Sequence, residues 1–188
     1  MNPLILASGS PRRSELLKQM DVSFQVHKSG ADESLPPNIR PQDAVTELSS
    51  RKALEVASQY PNHFVLGADT VVSIQNEILG KPETEEEAFT MLKKLSDTTH
   101  QVFTGVTLVV NGQAHSFYEG TDVTFWTLSD EEIKQYIKTG EPFDKAGGYG
   151  IQGKGAYFVK EIKGDFYTVM GLPIAKTIRQ LKQFGFPV

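Results

Sequence analysis

Gln101-Val-Phe-Thr-Gly-Val-Thr-Leu-Val-Val-Asn-Gly-Gln-Ala-His-Ser-Phe-Tyr-Glu-Gly-Thr-Asp-Val-Thr-Phe-Trp126 decides the fold class. β-Branched and aromatic residues fill both halves, and Asn111-Gly112 between them is a strong hairpin signal, because both residues tolerate positive φ. The stretch predicts two long antiparallel strands, 101–110 and 113–126. Outward toward the N-terminus, Thr84 with Glu87 forms a capping box that opens a helix with Ala88, Met91, Leu92 and Leu95 on its inner stripe. Phe64–Ile74 is an apolar, β-branched run with a polar pair, Asp69 and Thr70, in its middle. Pro41 opens a helix to about Tyr60, Pro36 and Pro37 lie in a loop over 31–40, and Phe24–Val26 is a short strand. Pro3–Ala7 predicts the first strand, and Ser10 as N-cap with Pro11 at the first helical position starts a helix to about Met20.

Outward toward the C-terminus, Ser129 and Glu132 form a second capping box before a helix to Thr139. Residues 140–156 hold six glycines and no periodicity; Tyr157–Ile162 returns to strand, and Leu172–Phe184 closes as an amphipathic helix. Strands and helices alternate early while an antiparallel hairpin sits in the middle, so the expectation is α/β: a mixed β-sheet flanked by helices, in a single domain over 1–188 with two lobes.

A net charge of −4 makes long nucleic acids and anionic membranes poor partners, so any phosphate must be handled locally. The absence of cysteine excludes disulfides, thiolate metal sites and thiol nucleophiles, and suits a reducing cytosol. No apolar stretch approaches the ~20 residues of a membrane span, and Leu4–Ala7 is too short for a signal-peptide core. The expected location is cytoplasmic. His27, His63, His100 and His115 lack zinc-site spacing, and no G-x-S-x-G nucleophile motif occurs.

Two of only five arginines, Arg12 and Arg13, follow Ser8-Gly9-Ser10-Pro11 at a predicted helix N-terminus, where free N–H groups and the dipole favour an anion. Helical geometry turns Arg13 toward the body of the protein, with Arg12 about 100° around. Asp69, inside an apolar run, is either paired with a cation or caps a turn at a strand end, and Gly67 would let a ligand approach the backbone. Lys52 interrupts an apolar stripe of Val45, Leu48 and Val56; its stem snorkels past the core or its ammonium enters a cleft. Lys81 is fixed between Gly80 and Pro82, Asp32-Glu33 is an acidic loop pair suited to a hard cation or to solvent, and the 144–153 segment is a lid or a base-binding loop in which Tyr149 stacks and Gln152 hydrogen-bonds.

Leu6-Ala-Ser-Gly-Ser-Pro-Arg-Arg13, Gly67-Ala-Asp-Thr70, Gly80-Lys-Pro82 and Asp144-Lys-Ala-Gly-Gly-Tyr-Gly-Ile-Gln-Gly153, in this order, resemble the Maf family of nucleoside triphosphate pyrophosphatases. The resemblance implies an elongated mixed sheet with a central cleft, similar to inosine triphosphate pyrophosphatases. It implies cleavage of a nucleoside triphosphate between the α and β phosphates, releasing the monophosphate and pyrophosphate, with a divalent cation, Mg²⁺ or Mn²⁺. By the same resemblance Asp69 is the proton acceptor, and Arg12, Thr70 and Gln152 match the branch that acts on dTTP and UTP, normal or modified. Ser8, Arg13, Lys52 and Lys81 would hold phosphates, and Asp69 with Glu33 the metal. The alternatives are a nucleotidyltransferase and a nucleotide-binding regulator of septum formation, a role also associated with the family. A monomer or homodimer is expected.

Overall fold

The computed structural model describes residues 2–188. Along the chain run β1 (Leu4–Leu6), α1 (Pro11–Gln19), β2 (Phe24–Val26), α2 (Pro41–Ala57), β3 (Val65–Ile74), β4 (Glu77–Leu79) and α3 (Glu85–Leu95). Then come β5 (Thr99–Val110), β6 (Gln113–Phe125), α4 (Asp130–Ile137), β7 (Val159–Lys163), α5 (Phe166–Met170) and α6 (Ile174–Gln183), with short 3₁₀ turns between α4 and β7. Seven strands form one mixed sheet in the order β2-β1-β3-β5-β6-β7, with β4 also paired to β3. β1 is parallel to β2 and β3, and all other pairings are antiparallel.

The hairpin forms as its sequence dictates: Asn111 and Gly112 take φ of 49° and 77°, and β5 pairs with β6 from Val110↔Gln113 to Thr99↔Thr124. The same backbone geometry recurs at Gln75 (φ 51°) and Asn76 (φ 65°), which turn β3 into β4. That strand is not expected from the sequence, because its turn contains no glycine and three residues are too few to show a period.

One face of the sheet is covered at one end by α1 and α6, whose Leu16, Leu17, Ile178 and Leu181 pack with Leu4, Leu6, Leu66 and Leu108. Toward the other end α3 and α4 pack Leu92, Leu95 and Ile133 with Val72, Val123 and Phe125. The opposite face carries α2, whose Ala53 and Val56 meet Ile5, Val65 and Val109. α2 lies unusually close to the strands: a Cβ on Gly67 would stand 2.4 Å from the Ser49 carbonyl oxygen, and one on Gly105 2.2 Å from that of Val45. The backbone approach at Gly67 is therefore made by a helix, which corrects the expectation of a ligand there.

The helix starts differ from expectation in detail. Ser10 is the N-cap of α1, but its side chain makes no cap bond, so Pro11 is the start signal that operates. Thr84 accepts from the Glu87 N–H, while the Glu87 carboxylate reaches Glu83 N–H instead of closing the box. Ser129 and Glu132 make the complete reciprocal pair. Among the described residues no helix is long and apolar enough to cross a membrane.

Candidate active site

The site begins with an interruption in strand pairing. β1 follows one edge of β3 only as far as Leu6 opposite Leu66, and β4 takes up that edge from Leu79 opposite Val72. β5 pairs continuously along the other edge, from Val65 to Ser73. Residues 67–71 thus border a gap, and successive side chains Asp69 and Thr70 leave it on opposite faces. Both flanking strands end at this gap: β1 runs into Ser8–Arg13, and β4, antiparallel, runs into Gly80-Lys81-Pro82.

On the α2 face, the Lys52 ammonium donates to Asp69 Oδ1 at 2.6 Å and lies 2.8 Å from Glu33 Oε1. The Lys52 ammonium is thus held by two carboxylates instead of reaching out to solvent, and Asp69 lies mid-strand, paired with a cation, not capping a turn. The hydrogen bond from Lys52 holds the Glu33 carboxyl below its ordinary range against partial burial, helped by the charges of Lys52, Lys81 and Arg13. Lys81 and Arg13 therefore act on the same small region. Asp32 turns away: its carboxylate accepts from Ser34 N–H at 2.9 Å and from the Ser34 hydroxyl.

On the opposite face, Arg13 is buried as its helical position predicts. Its guanidinium donates from Nε to the Gly171 carbonyl (2.7 Å), from Nη1 to Ser8 Oγ (2.9 Å) and from Nη2 to Thr70 Oγ1 (3.2 Å). Burial pulls its pKa down; Asp69 opposes that, Arg12 adds to it and Glu33 opposes it. Ser8 Oγ also accepts from Ser10 N–H at 3.2 Å, which leaves its own proton for an incoming oxygen. Thr104 Oγ1 donates to the Thr168 carbonyl at 2.8 Å, so Thr70, 2.8 Å from Thr104, must donate to it. Thr70 can then offer a ligand only a lone pair.

Gly171, Thr104 and α5 carry no motif of their own, yet they seat Arg13 and Thr70. One signal for α5 exists in the sequence: Asp165 caps it by accepting from Thr168 N–H at 2.7 Å, and Gly171 closes it at φ 113°.

The glycine-rich segment docks beside the gap. Gly147, at φ 70°, donates its N–H to Gly80 O at 3.0 Å, and a Cβ there would meet Val72 at 2.8 Å. Burial disfavours the Asp144 carboxylate, but bonding from Lys145, its charge and that of Arg12 outweigh this and lower its pKa. Tyr149 is not available to stack on a base: it is 5% exposed, and its hydroxyl lies 2.7 Å from His100 Nε2 in the core. Gln152 is exposed.

Among the described residues no group of three or more His, Asp or Glu could hold a metal by itself. Asp69 and Glu33 converge on one point, however, and two carboxylates completed by phosphate oxygens are a donor set that suits a hard divalent cation.

A family profile described as Maf-like protein matches residues 3–184. The chain belongs to the Maf family. Full-length relatives of this Maf protein include one from Halalkalibacterium halodurans, 56% identical over 99% of this chain and 98% of its own length, named dTTP/UTP pyrophosphatase. Proteins of the same name from Bacillus mycoides and Bacillus cereus are 52% and 51% identical over 100% of this chain and 98% of their own lengths. The Maf motifs, far apart in sequence, border or dock beside one gap in the sheet.

Proposed function

We propose that this Maf protein hydrolyses dTTP and UTP to the nucleoside monophosphate and pyrophosphate. The observation that carries the reading is the convergence of Asp69, Lys52 and Glu33 beside Arg13, in a chain whose full-length relatives bear that name. Arg13, Lys52, Lys81 and Ser8 bind the triphosphate, with the N-terminus of α1 adding its dipole. Water attacks the α phosphorus; the new P–O bond forms as the bond from that phosphorus to the bridging oxygen breaks, and pyrophosphate leaves with the electron pair. Asp69 takes the proton of the attacking water, and Lys52 holds its carboxylate in place. Asp69 and Glu33 would hold a divalent cation, Mg²⁺ or Mn²⁺, together with phosphate oxygens. Such a cation, when bound, neutralises charge on the triphosphate and acidifies water, which eases transfer of its proton to a carboxylate. Arg12, Thr70 and Gln152 select the base, and the enzyme acts in the cytoplasm.

Incubation with UTP or dTTP and Mg²⁺, without an acceptor, is expected to give equal amounts of monophosphate and pyrophosphate. A requirement for an acceptor identifies a nucleotidyltransferase, and saturable binding without turnover a regulator. Asp69→Asn is expected to lower kcat by at least about 10³-fold with an unchanged circular-dichroism spectrum, and chelation of divalent cations to stop turnover. Retention of most activity by Asp69→Asn rules out its role as base.

A further inference from the structure

Glu141 lies in a short 3₁₀ turn after α4 and belongs to none of the groups above. Its Oε1 accepts from the Tyr136 hydroxyl (2.9 Å) and Gly155 N–H (3.2 Å), and its Oε2 from Lys154 N–H (3.0 Å). The Tyr136 oxygen in turn accepts from Gly150 N–H at 3.2 Å. Both ends of the turn Gly150-Ile-Gln-Gly-Lys-Gly155 are therefore fastened to one Tyr–Glu pair, with Gln152 exposed between the fastenings.

The glycines record this arrangement. A Cβ on Gly153 would stand 2.4 Å from Glu141 Oε1, one on Gly150 3.2 Å from the same oxygen, and one on Gly155 2.9 Å from the Tyr136 hydroxyl. Partial burial works against the Glu141 charge, but the Lys154 N–H, the Tyr136 hydroxyl and the Gly155 N–H outweigh it, so the carboxyl stays below its ordinary range. Burial above all raises the Tyr136 phenol, which stays protonated as the donor. A carboxylate committed to three donors near a surface fixes the path of the chain around it.

We propose that Glu141, acting with Tyr136, is a positioning residue for nucleotide recognition, holding the 150–155 turn so that Gln152 meets the base at a fixed place. The inference rests on the pyrophosphatase reading and adds to it a residue that governs affinity and base preference but not the phosphate chemistry. Glu141→Gln keeps shape and one acceptor oxygen but presents an amide NH₂ to backbone donors. It is expected to raise KM for UTP and dTTP about tenfold, to leave kcat within about twofold, and to narrow the preference for UTP over GTP. Glu141→Asp should recover part of the loss. Tyr136→Phe, which removes one hydroxyl, should move KM in the same direction, and it serves if Glu141→Gln does not fold. Combining Glu141→Gln with Gln152→Ala should raise KM no further than Gln152→Ala alone. Unchanged KM and base preference in a folded variant, a loss confined to kcat, or additive effects in the double variant overturns the proposal alone. Absence of turnover by the wild-type protein overturns the pyrophosphatase reading and this inference together.

Discussion

Lys52 stands 2.6 Å from Asp69 and 2.8 Å from Glu33, and an ammonium held by two carboxylates steadies them both. Such a cluster spends its charges internally until a ligand arrives. A different buried group also responds to acid. His100 is fully buried against Phe125 and Tyr149, and burial pushes its pKa down to about 4. In the folded protein it is neutral between about pH 4 and 6.5, where the unfolded chain binds a proton at this position. Stability from this residue is thus fully present above pH 6.5 and is lost as pH falls toward about 4, by up to about 3 kcal/mol. Thermal melts of wild type and His100→Gln across pH 4–7 test this; the variant should show a shallower dependence, and identical slopes would reject the assignment.

At the scale of elements, α2 is the delivery device for Lys52, and its height above the sheet is set by Gly67 and Gly105. Gly67→Ala pushes a methyl into the backbone of α2 and is expected to cost about 1–3 kcal/mol in denaturant unfolding, as overpacking does. Because α2 carries Lys52, the same variant should lose kcat more than a variant equally destabilised at the far end of the sheet. Equal losses would show that α2 has no positional role. The mixed sheet was legible because Asn111-Gly112 announces its hairpin locally, and Arg13 was legible because helical periodicity fixes its direction. β4 was not, since the Gln75-Asn76 turn adopts left-handed geometry without a glycine to announce it. Without β4 nothing in the sequence brings Lys81 to the gap. Gly67 misled for a related reason: absence of a side chain reveals that something approaches, but not what. Tyr149 misled because a tyrosine among glycines looks exposed until His100 and Phe125, distant in sequence, close over it.

For the molecule as a whole, a net charge of −4 coexists with four cations, Arg12, Arg13, Lys52 and Lys81, gathered about one opening. The overall field keeps polyanions away while the local one suits a single small anion. Arg13 is also seated by the Gly171 carbonyl, 158 positions along the chain. That separation gives the guanidinium a place in time as well as in space. Its acceptor is placed by α5, which Thr104 and Thr121 tie to β5 and β6, so the bond needs the C-terminal part of the chain docked on the sheet. Refolding followed by tryptophan fluorescence and by nucleotide hydrolysis in parallel should show hydrolysis returning no earlier than the slowest structural phase. Hydrolysis that preceded it would mean that Arg13 acts without Gly171. A polypeptide still being synthesised, or one frayed at its C-terminal helices, would accordingly lack the Gly171 acceptor, so the guanidinium is seated only in a finished fold.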